Sequence, residues 1–178
     1  SAWTNAPTFF PTASPTLVFL GLSKQKYTGD YNGDIASNVF NAPTGAAEIV
    51  TTLTLGNEGS SYSYKFTGFI VPSVAGSYCF KACSDDLNDV YINGNRVAGI
   101  DSCCVCSEGC TDLLKGIPVS IAVFYGQGSG GAYLQFYWKN PGGTAWNEIL
   151  SNEFRYEYDV TTTAPTISPP TMPTDPGC

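Results

Sequence analysis

Residues 62–94 read YSYKFTGFIVPSVAGSYCFKACSDDLNDVYING, and this stretch decides the fold class. At its start Tyr62, Tyr64 and Phe66 alternate with smaller or polar side chains, a period of two that is typical of a half-buried antiparallel strand. At its end the pair Asn93-Gly94 follows an apolar run, which is a strong signal for a β-hairpin. The stretch therefore predicts strands joined by tight turns.

The same two-residue period recurs further along the chain. The positions that share one face are Ile121, Val123 and Tyr125 in one run, and Leu134, Phe136 and Trp138 in the next. Turn-forming residues separate the runs at 57–59, 75–76 and 141–143. Residues 147–154 alone have the spacing of a short helix or turn. The sequence predicts an all-β domain, either a sandwich or a barrel.

Both ends of the chain are rich in Pro and Thr. Residues 1–16 and 161–178 carry too little apolar surface to fold and are typical of stiff extended linkers. We expect a folded domain at 17–160 between two linkers, as part of a longer multidomain chain. Two ordinary disordered termini are the alternative.

The charge of the chain excludes several classes of partner. Of its 178 residues only 8 are Lys or Arg, and the net charge is −7, which argues against nucleic-acid binding. No apolar run approaches the ~20 residues that span a bilayer, so neither membrane insertion nor a signal peptide within these residues is expected. We therefore expect a mature or excised piece.

The chain has seven cysteines, and six of them lie between Cys79 and Cys110. This density predicts disulfides and hence an extracellular location. A zinc site at Cys103, Cys104, Cys106 and Cys110 is the alternative, but the spacing lacks two separated CxxC pairs and there is no His. Six cysteines allow fifteen pairings, so the sequence leaves the connectivity open. Cys178 is the seventh cysteine, and we expect it to be unpaired or bridged to a partner outside the domain.

A series of short motifs occurs in a fixed order. The series comprises FTGFIVP at 66–72, AGSYCF at 75–80, SDD at 84–86, VYING at 90–94, VFY at 123–125 with a Gly-rich loop after it, and LQFYW at 134–138. In this order and spacing the chain resembles the PA-fourteen (protective-antigen fourteen-kilodalton) domain family, which includes the GLEYA branch and the lectin domains of yeast flocculins and epithelial adhesins. The resemblance covers about residues 21–154.

The resemblance implies an antiparallel two-sheet β-sandwich with two calcium-binding loops at one end. In lectin members an Asp-Asp pair joined by a cis peptide binds calcium, and two adjacent sugar hydroxyls complete the metal's shell. Asp85 and Asp86 match that pair. In the second loop, the family pattern assigns a side-chain oxygen to Gln127 and main-chain carbonyls to Ser129 and Gly131.

Each part of this site also has a simpler interpretation. Asp85-Asp86 taken alone is typical of a solvated turn, and the Gly-rich loop at 127–131 is typical of a flexible hairpin tip. The segment 103–110 either forms part of the rim of the sugar pocket or only staples a long loop. Asp89 is expected to face solvent or cap a turn, Trp146 to cover the core, and Asp30 has no matching context.

Together these features predict a calcium-dependent lectin domain of a secreted or cell-surface adhesin. The expected ligand is a terminal neutral hexose or deoxyhexose of a glycan. A structural or protein-binding module is the alternative. We expect no enzymatic activity, because a chain without His lacks the commonest general base.

Overall fold

The computed structural model describes residues 16–148 and 154–159, and Val18–Glu157 forms one compact unit. The described parts of the two chain ends, 16–17 and 158–159, are the outer ends of two strands. The strands are β1 Thr16–Leu20, β2 Leu22–Thr28, β3 Glu48–Val50, β4 Tyr62–Ile70, β5 Gly76–Asp85, β6 Leu87–Ile92, β7 Asn95–Ile100, β8 Val105–Leu113, β9 Val119–Gln127, β10 Tyr133–Lys139, β11 Asn147–Glu148 and β12 Phe154–Asp159. A one-turn 3-10 helix, Asn38–Asn41, is the only helix in these ranges.

The strands form two sheets, which confirms the predicted antiparallel β-sandwich. The eight-stranded sheet has the order β1-β12-β4-β9-β6-β7, with β2 between β4 and β3, and the four-stranded sheet has the order β11-β10-β5-β8. The hairpin β6-β7 turns at Asn93 and Gly94, whose φ angles of 50° and 75° are those of the predicted tight turn.

The apolar positions that recur every second residue in the sequence are the positions that face the core. Phe66, Val123 and Leu134 are completely buried, and the other apolar positions of the three predicted runs are also inside. Because successive strand residues point to opposite faces, the residues between these positions lie on the outer faces. Burial of this one face of each sheet is what drives the two sheets together.

The cysteines form two bridges across one strand pair. Cys79 is joined to Cys110 and Cys83 to Cys106, each pair lying directly opposite on β5 and β8. The expected disulfides are confirmed for these four residues, and the four-cysteine zinc alternative is excluded. Residues 105–113 form a strand, so the loop expected at 103–110 was wrong for 105–110. Cys103 and Cys104 are exposed and unpaired in the turn before β8.

Three further expectations differ from the structure. Asn147–Glu148 pairs with β10 as a short strand, because its backbone can extend the sheet edge, and 149–153 lie outside the described residues. Asp89 is only 2% exposed instead of facing solvent. Trp146 does not cover the core: it is half-buried, with the ammonium groups of Lys81 and Lys139 at 4.8 and 4.7 Å from its ring. The linkers and Cys178 lie outside the described residues, and the domain boundaries stay a prediction.

Candidate metal and ligand site

The chain crosses between the two sheets twice at the same end of the sandwich. Asp86 alone connects β5 to β6, and residues 128–132 connect β9 to β10. Tyr133, the first residue of β10, lies opposite Asp85, and Gly126 near the end of β9 lies opposite Leu87. The strand pairing therefore brings the Asp-Asp corner and the Gly-rich loop side by side.

The Asp85-Asp86 peptide is cis, as the family resemblance implied. Ser84 donates a hydrogen bond from its hydroxyl to the Asp86 main-chain oxygen at 3.3 Å, and Asn88 donates to that hydroxyl at 2.7 Å. Ser84 and Asn88 are fully buried. The corner is thus supported from inside the sandwich, while both carboxylates are partly exposed at its end.

The two carboxylates lie close to one another. Burial raises the pKa of Asp85 above its usual range, and the neighbouring Asp86 raises it further, whereas a hydrogen bond from Cys104 lowers it. In the described part of the chain no Lys or Arg nitrogen lies within 4.0 Å of either carboxylate. Two adjacent anions without a cationic partner form a site that favours an external cation.

The Gly-rich loop is tied to this corner by main-chain and side-chain hydrogen bonds. The Gly128 amide donates to the Asp86 carboxylate at 2.8 Å. Gln127 is fully buried and donates from its amide nitrogen to the Gly131 carbonyl at 2.8 Å. The Tyr125 hydroxyl donates to the Asp85 main-chain oxygen at 2.6 Å and lies 3.1 Å from the Gln127 side-chain oxygen. Tyr125 therefore connects the two loops.

The opposite side of the loop is held by the segment before β4. The Ser61 amide donates to the Gly128 carbonyl at 2.9 Å, and the Asn57 side chain donates to the Gly130 carbonyl at 3.3 Å. The carbonyls of Gly128 and Gly130 are therefore engaged with the segment before β4.

Two glycines leave room beside the carboxylates. A Cβ atom at position 131 would lie 2.8 Å from Asp85 Oδ2. A Cβ at position 128 would lie 3.3 Å from Asp86 Oδ2 and 3.5 Å from Asp30 Oδ2. The lack of a side chain at these two positions leaves the carboxylates beside the loop undisturbed.

The donor set fits a hard divalent cation. Carboxylate, amide and main-chain oxygens are the ligands that calcium takes in sets of about 6–8. Gln127 and Gly131 are already hydrogen-bonded, but a carbonyl oxygen has two lone pairs, so each keeps one acceptor position. A residue larger than glycine at position 131 would fill the space beside the Asp85 carboxylate.

Sequence reasoning missed three groups that border this site. Asp30 follows β2 and is far from Asp85 in sequence. The pairing of β2 with β4, and of β4 with β9, brings its carboxylate beside Gly128. Tyr125 was predicted as core, and its buried side chain was correctly placed, but nothing in a period of two indicates where its hydroxyl points. Cys103 and Cys104 were predicted near the Asp pair, yet not as groups in contact with Asp85.

No helix in the described ranges is long and apolar enough to cross a membrane. Solved structures with the same fold include the PA14 domain of the MpAFP antifreeze protein, with 17% identity and a TM-score of 0.66, covering 83% of this chain and 96% of that one. The PA14 sugar-binding domain of an RTX adhesin has 18% identity and a TM-score of 0.65, with coverages of 78% and 99%.

The A domain of epithelial adhesin 6 from Candida glabrata, solved with Galb1-3GlcNAc, has 18% identity and a TM-score of 0.65, with coverages of 82% and 91%. No curated protein sequence matches the chain. The family model described as PA14 domain matches residues 21–151, most of the folded part. The chain belongs to the PA14 domain family.

Proposed function

We propose that this chain is a calcium-dependent lectin domain of a secreted or cell-surface adhesin. Its ligand would be a terminal neutral hexose or deoxyhexose, bound through two adjacent hydroxyls. One observation carries the proposal: the Asp85 and Asp86 carboxylates lie together at an exposed corner without a basic partner among the described residues. A folded protein keeps such a pair where an external cation compensates it.

The proposed ligand set comes from both loops. Asp85 and Asp86 would supply carboxylates, Gln127 its side-chain oxygen, and Ser129 and Gly131 their carbonyls. Calcium bound there would offer its remaining coordination positions to sugar hydroxyls. The donors are held before any ligand arrives, because Tyr125, Gln127 and the Gly128 amide fasten the two loops to one another.

The comparisons support the carbohydrate ligand. The epithelial adhesin 6 A domain was solved with Galb1-3GlcNAc and the epithelial adhesin 9 A domain with Galb1-4GlcNAc, and the RTX adhesin domain is described as sugar-binding. The paired acidic residues at the sheet crossing give this chain a site suited to the same kind of ligand. The two disulfides favour an extracellular location.

Binding by a single site would be weak. The corner is open and offers a sugar few contacts beyond its hydroxyls, so little surface is desolvated. On a cell surface several copies would act together, and multivalency would supply the strength. A catalytic role has little support, since the chain has no His and both carboxylates of the corner would be engaged by one ion.

The test is a glycan array with the full chain in millimolar calcium, repeated with a chelator and with Asp86→Ala. The matched control is Asp112→Asn, an exposed carboxylate on β8 opposite Ser77, at the far end of the sheet from Asp85. We expect calcium-dependent binding in the parent and control chains only. A folded, calcium-loaded chain that binds no glycan would refute the lectin proposal and favour a structural or protein-binding module.

A further inference from the structure

A second set of ligand atoms lies on the outer side of the acidic corner. The sulfur atoms of Cys103 and Cys104 and a carboxylate oxygen of Asp85 all lie within 4.8 Å of one another. Both cysteines are exposed and unpaired, whereas the four cysteines of β5 and β8 are oxidised in disulfides. Cys103 and Cys104 are thus the two cysteines of the described residues that lie outside the disulfides.

The local backbone explains how two neighbouring side chains reach one carboxylate. Successive residues of a strand point to opposite faces, so adjacent cysteines in β8 itself would be directed apart. Cys104 lies in the turn before β8 with a φ of 67°, in the left-handed region that non-glycine residues rarely adopt. Its amide donates to the Ser84 carbonyl at 3.0 Å, which fastens the turn to the end of β5, one residue before Asp85.

The chemistry of this cluster differs from that of the calcium donor set. Calcium takes hard oxygen ligands, whereas thiolates select thiophilic ions such as zinc. Zinc binds sulfur at about 2.3 Å and carboxylate oxygen at about 2.0–2.2 Å. The 4.8 Å limit on the spacing of the three atoms is of the size that a shared ion needs. A fourth position would stay open for water.

We propose that Cys103, Cys104 and Asp85 form a second metal site, for a thiophilic divalent cation such as Zn²⁺ or Cd²⁺. The site shares Asp85 with the proposed calcium set, so the two ions compete for one carboxylate. Occupation by zinc withdraws Asp85 from calcium and weakens sugar binding. This regulatory consequence rests on the proposed lectin function, while the metal site itself does not.

The metal site is tested by titrating the full chain carrying Cys178→Ser with Cd²⁺ and recording the ultraviolet cadmium–thiolate charge-transfer absorbance. The Cys178 substitution removes the tail thiol from the count. We expect saturation at one ion per chain, with loss of the absorbance when Cys104→Ser is added. Asp85→Asn should weaken cadmium binding by at least about tenfold, since loss of an outer-shell partner alone costs that much.

Asp112→Asn is the matched control, since Asp112 is an exposed carboxylate at the end of β8 away from the thiol cluster. It should retain the cadmium signal with unchanged affinity. Three results would overturn the site: no signal from a folded chain whose two thiols react freely with a thiol reagent, the same signal in Cys104→Ser, or oxidation of both thiols in the purified protein.

The competition has a separate test. In the chain with Cys178→Ser, micromolar zinc should weaken calcium-dependent glycan binding about tenfold. The response to zinc should vanish when Cys103→Ser and Cys104→Ser are added. An equal response in that variant would show that zinc acts at the calcium set directly and would overturn the competition. If the chain binds no glycan at all, the proposed function fails, and the cadmium titration still decides the metal site.

Discussion

Two acidic sites lie only a few residues apart in the chain, a single aspartate and an aspartate pair, and their surroundings are opposite. Asp89 in β6 is 2% exposed, forms an ion pair with Arg96 of β7, and accepts a hydrogen bond from the Tyr31 hydroxyl at 3.1 Å. Asp85 and Asp86 lie at the open sheet crossing, with no basic side chain within 4.0 Å among the described residues.

The difference separates a carboxylate that serves the fold from a pair that serves a ligand. Asp89 lies beside a small apolar cluster of Tyr31, Leu87 and Phe124, where a lone charge would be costly, and Arg96 neutralises it internally. The two carboxylates at the sheet crossing have no basic partner among the described residues. Four predictions would break or sharpen this contrast.

The largest effect is expected at the internal pair. Arg96→Leu leaves the Asp89 carboxylate buried without its cation and should lower the free energy of unfolding by about 3 kcal/mol, near the bottom of the range for buried pairs because Arg96 is half-exposed. Denaturant unfolding measures the loss. The double variant Arg96→Leu with Asp89→Asn should recover part of it. No loss in the single variant would contradict the structural role.

This loss should also depend on pH. Burial raises the pKa of Asp89, although Arg96 and the Tyr31 hydroxyl oppose the shift. Without Arg96 the pKa rises further, so the folded state binds a proton more tightly than the unfolded state does. Stability then falls as pH rises from the unfolded-state pKa through the folded-state pKa. The destabilisation should be greatest near pH 7 and smaller near about pH 4.

The second effect concerns the open pair. Calcium at a hundred times its dissociation constant should stabilise the parent chain by about 2.7 kcal/mol, because it binds only the folded state. Asp85→Asn should abolish this gain and yet unfold no more easily than the parent in chelator, since one of two repelling charges is gone. Thermal unfolding with and without calcium measures both. A chain that calcium stabilises equally after the substitution would contradict the site.

The third effect tests the clearance beside Asp85. Gly131→Ala would place a Cβ atom 2.8 Å from Asp85 Oδ2, so the carboxylate has to move, and we expect calcium affinity to fall about tenfold, as when a group that orients a ligand is lost. Gly56→Ala is the matched control, because a Cβ there has no neighbour within 4 Å and should change nothing. Calorimetric calcium titration compares the two. Equal affinities would show that the loop does not need to approach Asp85 this closely.

The smallest effect is expected at the connection between the loops. Tyr125→Phe removes the hydroxyl that donates to the Asp85 main-chain oxygen and should cost about 1 kcal/mol of stability. Burial raises the pKa of Tyr125, so the hydroxyl remains a donor across the accessible pH range. Calcium affinity should fall by about tenfold, as for other groups that orient ligands. Tyr78→Phe is the control, because it removes a buried hydroxyl that donates to the Val74 carbonyl at 2.8 Å, at the end of β5 away from Asp85, and should leave calcium affinity unchanged.

The period of two in β4, β9 and β10 was sufficient to predict the sandwich and most of its core. Burial of one face is a local property of each strand, so the sequence carries it directly. The motif order likewise predicted the family and the Asp-Asp corner. The short helix or turn expected at 147–154 was wrong for Asn147–Glu148, because pairing with β10 overrode the local spacing.

The sequence by itself determined the fold class, the family and the position of the acidic corner. The tertiary structure alone decided which acidic residues are neutralised and which are not. The Asp89–Arg96 pair depends on a hairpin, the position of Asp30 on the β2-β4 pairing, and the two disulfides on the register of β5 and β8. The contact of Cys103 and Cys104 with Asp85 depends on a single left-handed turn. These contacts join residues on different strands and turns, and a sequence pattern within one strand does not specify them.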